Sequence, residues 1–152
     1  MPERLFLRLD EDPLHGPEAD IPAGTLRAWP VIEPLRSHVA HVLLYRETIP
    51  SGCDVLERVV PDGAVRLVFN IGAAPSVDTQ AGRPAEAVGA SATPVIVRLS
   101  GRVEGLSITL RPGAAAALLG LPAGELAEQT VSLDDLWPGV GDELRERLAA
   151  ST

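Results

Sequence analysis

The sequence contains no lysine: all thirteen of its basic residues are arginine. That absence removes Schiff-base chemistry of the pyridoxal or aldolase kind and the phosphate-gripping lysine of a P-loop. Cysteine is nearly absent too, with Cys53 alone. One thiol closes neither an internal disulfide nor a zinc cage, and it predicts a reducing cytoplasm as the chain's home. Aromatic residues make up 3% of the sequence, which argues against an aromatic-lined pocket for a sugar or nucleobase. No apolar run approaches the ~20 residues that span a bilayer. Met1 to Asp10 alternates charged with apolar residues, where a signal peptide would need an unbroken apolar stretch.

Clustered positive charge is also missing. Thirteen basic residues face twenty-one acidic ones, for a net charge of −8. The densest basic pairs, Arg4/Arg8 and Arg98/Arg102, are diluted by apolar neighbours. Duplex binding is driven by cationic side chains that release counterions, so this chain by itself is expected to leave nucleic acid alone.

What is present fits one domain, 1–152, with 45% hydrophobic residues and enough length for a sizeable core. Three regions differ in character. Residues 1–36 hold Pro13, Pro17, Pro22, Pro30 and Pro34, too closely spaced for a helix or central strand. An extended wrap is predicted there, anchored by Trp29 and Ile32. Residues 37–111 read as short strands. His38–Glu47 is apolar on both faces and therefore central or covered. Asp54–Val60, the turn Pro61-Asp62-Gly63 and the next strand read as a hairpin. That strand sets Val65, Leu67, Phe69 and Ile71 against Arg66, Val68 and Asn70. Residues 72–86 lack periodicity and predict a mobile loop. Strands resume near Ala87–Gly89, at Pro94–Leu99 and at Leu106–Arg111, the last with Leu106, Ile108 and Leu110 on its buried side. Residues 112–152 change period to helical. Ala114–Leu119 ends at Gly120, a short helix follows Pro122, and Ser132-Leu-Asp-Asp135 has capping-box spacing. The tail carries Val140, Leu144 and Leu148 on one stripe. The expected class is α+β: a β-barrel or β-sandwich followed by short C-terminal helices.

Reactive constellations are scarce. His38 and His41 lie three apart, so on a strand they face opposite ways. His15 stands alone, and a metal needs three or more converging ligands, so no metal is expected. Cys53 sits beside Asp54, whose charge opposes thiolate formation. No Ser lies in a Gly-x-Ser-x-Gly elbow, and capping accounts for Asp134 and Asp135. No catalytic residue and no cofactor is predicted. The candidate site is a pocket for a small-molecule effector, drawn from Tyr45, Arg58, Arg66, Phe69, Asn70 and Arg98. If the polar faces of their strands turn inward, Arg66, Asn70 and Arg98 would hold an anion by charge-assisted bonds. Val140, Leu144 and Leu148 would either pack back on the chain or pair across the two-fold of a homodimer.

Certain motifs in order resemble a known family. They are Pro34-Leu-Arg-Ser-His-Val39 with Tyr45, Val60-Pro-Asp-Gly63 with Leu67-Val-Phe-Asn-Ile-Gly72, and Val88-Gly89. After these come Gly105-Leu-Ser-Ile-Thr-Leu-Arg-Pro-Gly-Ala114, Leu119-Gly-Leu-Pro-Ala-Gly-Glu-Leu126 and Val131-Ser-Leu-Asp-Asp-Leu136. Together they are similar to the N-terminal domain of many AraC-type bacterial transcription regulators, over roughly residues 30–150. The resemblance implies a cupin-like body that senses an effector or mediates dimerisation, with DNA bound by helix-turn-helix motifs in a further domain. The tail, ending in an apolar-striped helix, accords with a piece of a longer protein. Two other readings stay open: a free-standing barrel enzyme or small-molecule binder, and a pure protein–protein interaction module. A buried, mostly apolar cavity would favour the sensor over the interaction module.

The charge balance generates a direct test. In a gel-shift assay at ~100 mM salt the purified chain should leave a DNA duplex unretarded, and tight, salt-sensitive binding would contradict this reading.

Overall fold

Ten strands in two sheets, followed by short helices, make up the described part of the protein. The structure is a computed structural model and describes residues 3–6 and 24–151. The larger sheet contains β2 (Leu26–Trp29), β3 (Val39–Thr48), β5 (Arg66–Asn70), β7 (Ala85–Val88), β9 (Arg102–Leu110) and β10 (Thr130–Ser132). Their order is β10-β7-β5-β9-β3-β2, antiparallel throughout. The smaller sheet contains β1 (Glu3–Phe6), β4 (Val55–Val59), β6 (Ser76–Val77) and β8 (Val95–Leu99), in the order β1-β4-β8-β6. Only the β1–β4 pair among these is parallel. The class is α+β, a sheet-rich body with short C-terminal helices, as the strand and helix periodicities predict.

Period-2 alternation gives the larger sheet two distinct faces. On β5, Val65 (just before it), Leu67 and Phe69 are buried on one face, with Arg66, Val68 and Asn70 on the other. On β9, Leu106, Ile108 and Leu110 share the first face while Ser107 and Thr109 share the second. Three helices cover the apolar face: α1 (Ala114–Leu119), α2 (Leu133–Leu136) and α3 (Val140–Ser151). Leu119, Leu126 and Leu133 join the same core as Leu67 and Phe69. Ala85 and Ala87 are small where α2 and α3 approach β7, which lets the helix backbones come close to the sheet. Gly120, at φ 75°, closes α1 in the left-handed conformation foreseen for it.

Several expectations are corrected. β4 and β5 do not form a hairpin: β4 pairs with β1 and β8, while β5 pairs with β7 and β9. The Pro61-Asp62-Gly63 turn is real, with Asp62 Oδ1 accepting the Ala64 N–H at 3.0 Å, but it carries the chain from one sheet to the other. Turn chemistry fixes a reversal of direction, not the choice of strand neighbour. The segment 72–86 is not a featureless loop, since β6 and the start of β7 lie in it. Of the predicted wrap, residues 7–23 lie outside the described residues, and Leu26–Trp29 is an edge strand of the larger sheet. Trp29 and Ile32 do not anchor it. They are 50% and 61% exposed, and the Trp29 ring lies 5.4 Å from the Arg27 guanidinium. Hydrogen bonds hold the segment instead, with Arg111 Nε donating to the Arg36 carbonyl at 2.6 Å. Ser132 occupies the N-cap of α2, yet its side chain makes no capping bond, so the capping box does not form.

The tail stripe is used within the chain. Leu144 and Leu148 pack against the helix-side core, while Val140 is 41% exposed. The sheet's apolar face needs covering, and α3 supplies Leu144 and Leu148 from its stripe to that task.

Gly89 follows β7 where the chain runs against Leu126, and a Cβ there would overlap the Leu126 carbonyl oxygen. A backbone neighbour cannot rotate away, so Gly89→Ala should cost about 3 kcal/mol and lower Tm by roughly 6–12 °C. Gly124→Ala meets nothing within 4 Å and should change Tm by no more than ~2 °C; thermal melts of the two variants check the contrast.

Candidate functional site

The polar face of the larger sheet looks across a space to the smaller sheet, and between them lies a cavity of about 700 Å³. Small-molecule sites span roughly 300–1,000 Å³. Its walls are largely aliphatic, with Val68 and Val88 from one sheet and Val59, Val95, Val97 and Leu99 from the other. Set among them are many polar side chains, of which three groups are oriented by specific partners.

Tyr45 and Asn70 form the first group. Tyr45 Oη donates to Asn70 Oδ1 at 2.6 Å, and Asn70 Nδ2 donates to the Arg83 carbonyl at 2.8 Å. Gly105 makes this possible. It is the cross-strand partner of Tyr45, and a Cβ there would overlap the Tyr45 hydroxyl and the Phe69 carbonyl. The ring can therefore lie across the sheet toward Asn70 only over a glycine. Burial pushes the Tyr45 phenol far up, and the nearby Glu86 charge adds to it, so the hydroxyl stays a neutral donor.

Glu86 is the second group. It is 6% exposed and lines the cavity from β7, with its Oε1 accepting the Arg83 backbone N–H at 2.8 Å. Burial raises its carboxyl above the ordinary range, against the Arg83 N–H bond and the Arg83 charge.

The third group lies where β1 meets β4. Arg4 places Nη1 and Nη2 on the two Glu47 oxygens at 2.8 and 2.5 Å, and Nε on Glu57 Oε2 at 2.9 Å. One guanidinium thus serves two carboxylates. Burial raises the Glu57 carboxyl, and Arg4, shared with Glu47, only partly offsets it.

The structure sorts the predicted site residues. Tyr45, Arg66 and Asn70 line the cavity. Phe69 is 2% exposed in the helix-side core, one step out of phase with Asn70. Arg58 and Arg98 are exposed and do not line it, because their strands present Glu57 and Val59, and Val97 and Leu99, inward. Arg98 instead meets Asp54 at 2.8 Å. The anion-holding trio therefore does not converge, and Arg66 is already ion-paired with Asp62. Sequence reasoning missed Arg4, Glu47, Glu57, Glu86, Ser107 and Thr109. For Ser107 and Thr109 the signal was there: they alternate with the buried leucines of β9 and so had to share a face. For Arg4 there was none, because its contacts lie 43 and 53 residues away.

His41 reaches the cavity, and the Nδ1 of His38 is bonded to Ser37 Oγ at 2.8 Å. Among the described residues no three His, Cys, Asp or Glu side chains are grouped to hold a metal. Cys53 is exposed and does not line the cavity. No helix among the described residues is long and apolar enough to cross a membrane.

Fold and site together define a two-sheet protein with a ligand-sized cavity between the sheets, its walls mixing aliphatic side chains with polar and charged ones. The chain belongs to the family described as Domain of unknown function (DUF6597), which matches residues 30–132. All of the cavity lining except Arg4, Thr25 and Leu26 falls within that stretch. No curated protein and no solved structure matches the chain.

The Glu86 carboxyl generates a prediction whose sign is fixed. With the folded-state value raised above the unfolded one, the native state holds the proton more tightly, so stability falls as pH rises through the window between the two. Glu86→Gln keeps an acceptor for Arg83 and removes the buried charge. It should melt higher than the parent at pH 7.5, with the gap closing by about pH 3, where the carboxyl is protonated in both states; melts across that range check it.

Proposed function

We propose that this chain is a small-molecule-sensing domain of a cytoplasmic AraC-type transcription regulator, one that binds an effector and does not itself contact DNA. The observation that carries this reading is the cavity of about 700 Å³, aliphatic over much of its wall and supplied with Tyr45, Asn70 and Glu86 in fixed orientations. A module made only for protein contact has no use for such a space, and filling it with side chains would stabilise the fold. The motif resemblance supports the regulator class, and the net charge of −8 supports a domain that leaves DNA to another part of the protein.

The reading is of binding, not turnover. The carboxylates Glu47 and Glu57 are held by Arg4, and Tyr45 is held as a neutral donor to Asn70. No dimer through the tail stripe is included, because Leu144 and Leu148 already cover the chain's own core.

Asn70 offers a route from effector to output. Its side chain faces the cavity, while its backbone carbonyl accepts Arg145 Nε of α3 at 2.7 Å. A ligand that shifts Asn70 acts directly on the C-terminal helix.

A neutral apolar fluorophore, N-phenyl-1-naphthylamine, tests the binding reading. Its emission should rise saturably at one molecule per chain, and Val68→Trp, which fills the cavity floor, should weaken binding at least ~10-fold with the circular dichroism of the fold retained. Absence of saturable binding to the parent chain, or unchanged binding to the variant, would defeat the proposal. The regulator class has its own check in the reading frame beyond Thr152, where two helix-turn-helix units are expected.

A further inference from the structure

We infer that the cavity selects a protonated aliphatic amine, with Glu86 as the counter-ion inside it. This rests on the ligand-binding reading above and adds the chemical class of the ligand.

The argument begins with the cations. Three arginines line the cavity, and each is already committed: Arg4 to Glu47 and Glu57, Arg66 to Asp62, and Arg46 to Glu104. At Arg4 an anionic ligand would have to take the guanidinium from two largely buried carboxylates and strand their charge; Arg46 is 63% exposed, and its Glu104 is held by Arg102 as well. His41 is the remaining basic side chain on the lining, and it is exposed.

The anions are arranged differently. Asp78, Glu86 and Glu128 line the cavity with no arginine in ion-pair contact among the described residues. Asp78 and Glu128 are exposed and bond only to backbone N–H groups and a hydroxyl: Asp78 to Ile96 N, Glu128 to Ala92 N and Ser91 Oγ. They give the outer lining a negative potential that draws cations inward. Glu86 is the buried member. One of its oxygens takes the Arg83 N–H, and the other has no donor among the described residues. No buried side-chain oxygen in the described structure lacks a partner, so this second oxygen opens into the cavity. An ammonium placed there would replace the solvation that burial has removed.

The neighbours of Glu86 set the rest of the ligand. Val68 is its register partner on β5, and Ser107 is the partner of Val68 on β9. Carboxylate, isopropyl group and hydroxyl thus form one row across three strands, about 9–10 Å from end to end. An alkyl chain lying over Val68 from an ammonium at Glu86 fits that row. Tyr45 is the only Phe, Tyr or Trp among the described lining residues, which does not make the cage of several rings that recognises a quaternary ammonium. A primary or secondary amine, which donates hydrogen bonds, suits a carboxylate oxygen better.

Competition against bound N-phenyl-1-naphthylamine at pH 7 tests the inference, using n-octylamine, 1-octanol and octanoate, which share a chain length and differ in charge. Octylamine should displace the fluorophore at a concentration at least ~10-fold below either of the others, the advantage of one charge-assisted bond. In Glu86→Gln this preference should shrink to within about threefold. The inference falls if octanoate competes as well as octylamine, if octylamine fails to displace the fluorophore, or if the preference survives in the variant. The comparison of the three ligands on the parent chain stands even if the variant folds poorly. If the fluorophore itself does not bind the parent chain, the ligand-binding reading fails and this one with it; if it binds without an amine preference, only the charge selection fails.

Discussion

The six-stranded sheet must bury two faces with one set of helices. Its apolar face, built on Val65, Leu67, Phe69 and the leucines of β9, is satisfied by α1, α2 and α3. Nothing helical remains for the other face, and the smaller sheet stands over it without filling the gap. The space of about 700 Å³ left between the sheets is partly open to solvent, with exposed Asp78, Gln80 and Glu128 on its lining. The alternation that makes one face a core makes the other the wall of the cavity.

The cavity's electrostatics follow from how its buried charges are satisfied. Arg4 comes from 43 and 53 residues earlier in the chain to bridge Glu47 and Glu57, joining the β1 edge of the small sheet to β3, next to the edge of the large one. A buried ion cluster of this kind contributes little net stability against an apolar replacement, yet breaking it by removing one partner is costly. It therefore fixes how the two sheets meet more than it stabilises them. With the arginines so engaged, the charge left facing the interior is that of Glu86.

Asn70 ties this interior to the outer layer. Three of its polar groups are used at once: Oδ1 by Tyr45, Nδ2 by the Arg83 carbonyl, and the main-chain oxygen by Arg145. The residue lies on β5, between the cavity and the helices, and the Arg83 segment it holds also positions Glu86 through the Arg83 N–H. Tyr45, Asn70, Arg83 and Glu86 form one connected network, and α3 is attached to it directly.

Local chemistry alone determined much here. The alternation of β5 and β9, the helix Ala114–Leu119 with its glycine stop, and the central place of β3 are all encoded in spacing that neighbouring residues enforce. So is the shared face of Arg66 and Asn70, opposite Leu67 and Phe69. Tertiary structure decided what spacing cannot express. The turn at Pro61–Gly63 reverses the chain in either pairing, and only the competition among strands for neighbours sent β4 and β5 to different sheets. The phase of β8 looked open because both its faces hold apolar residues, and the fold turned Val97 inward and Arg98 out. Arg4, Glu47 and Glu57 are unremarkable as separate letters. They become a site only when the backbone brings residues 43 and 53 positions apart within hydrogen-bond reach, because long-range contacts are set by the global burial of surface and leave no local periodicity to read.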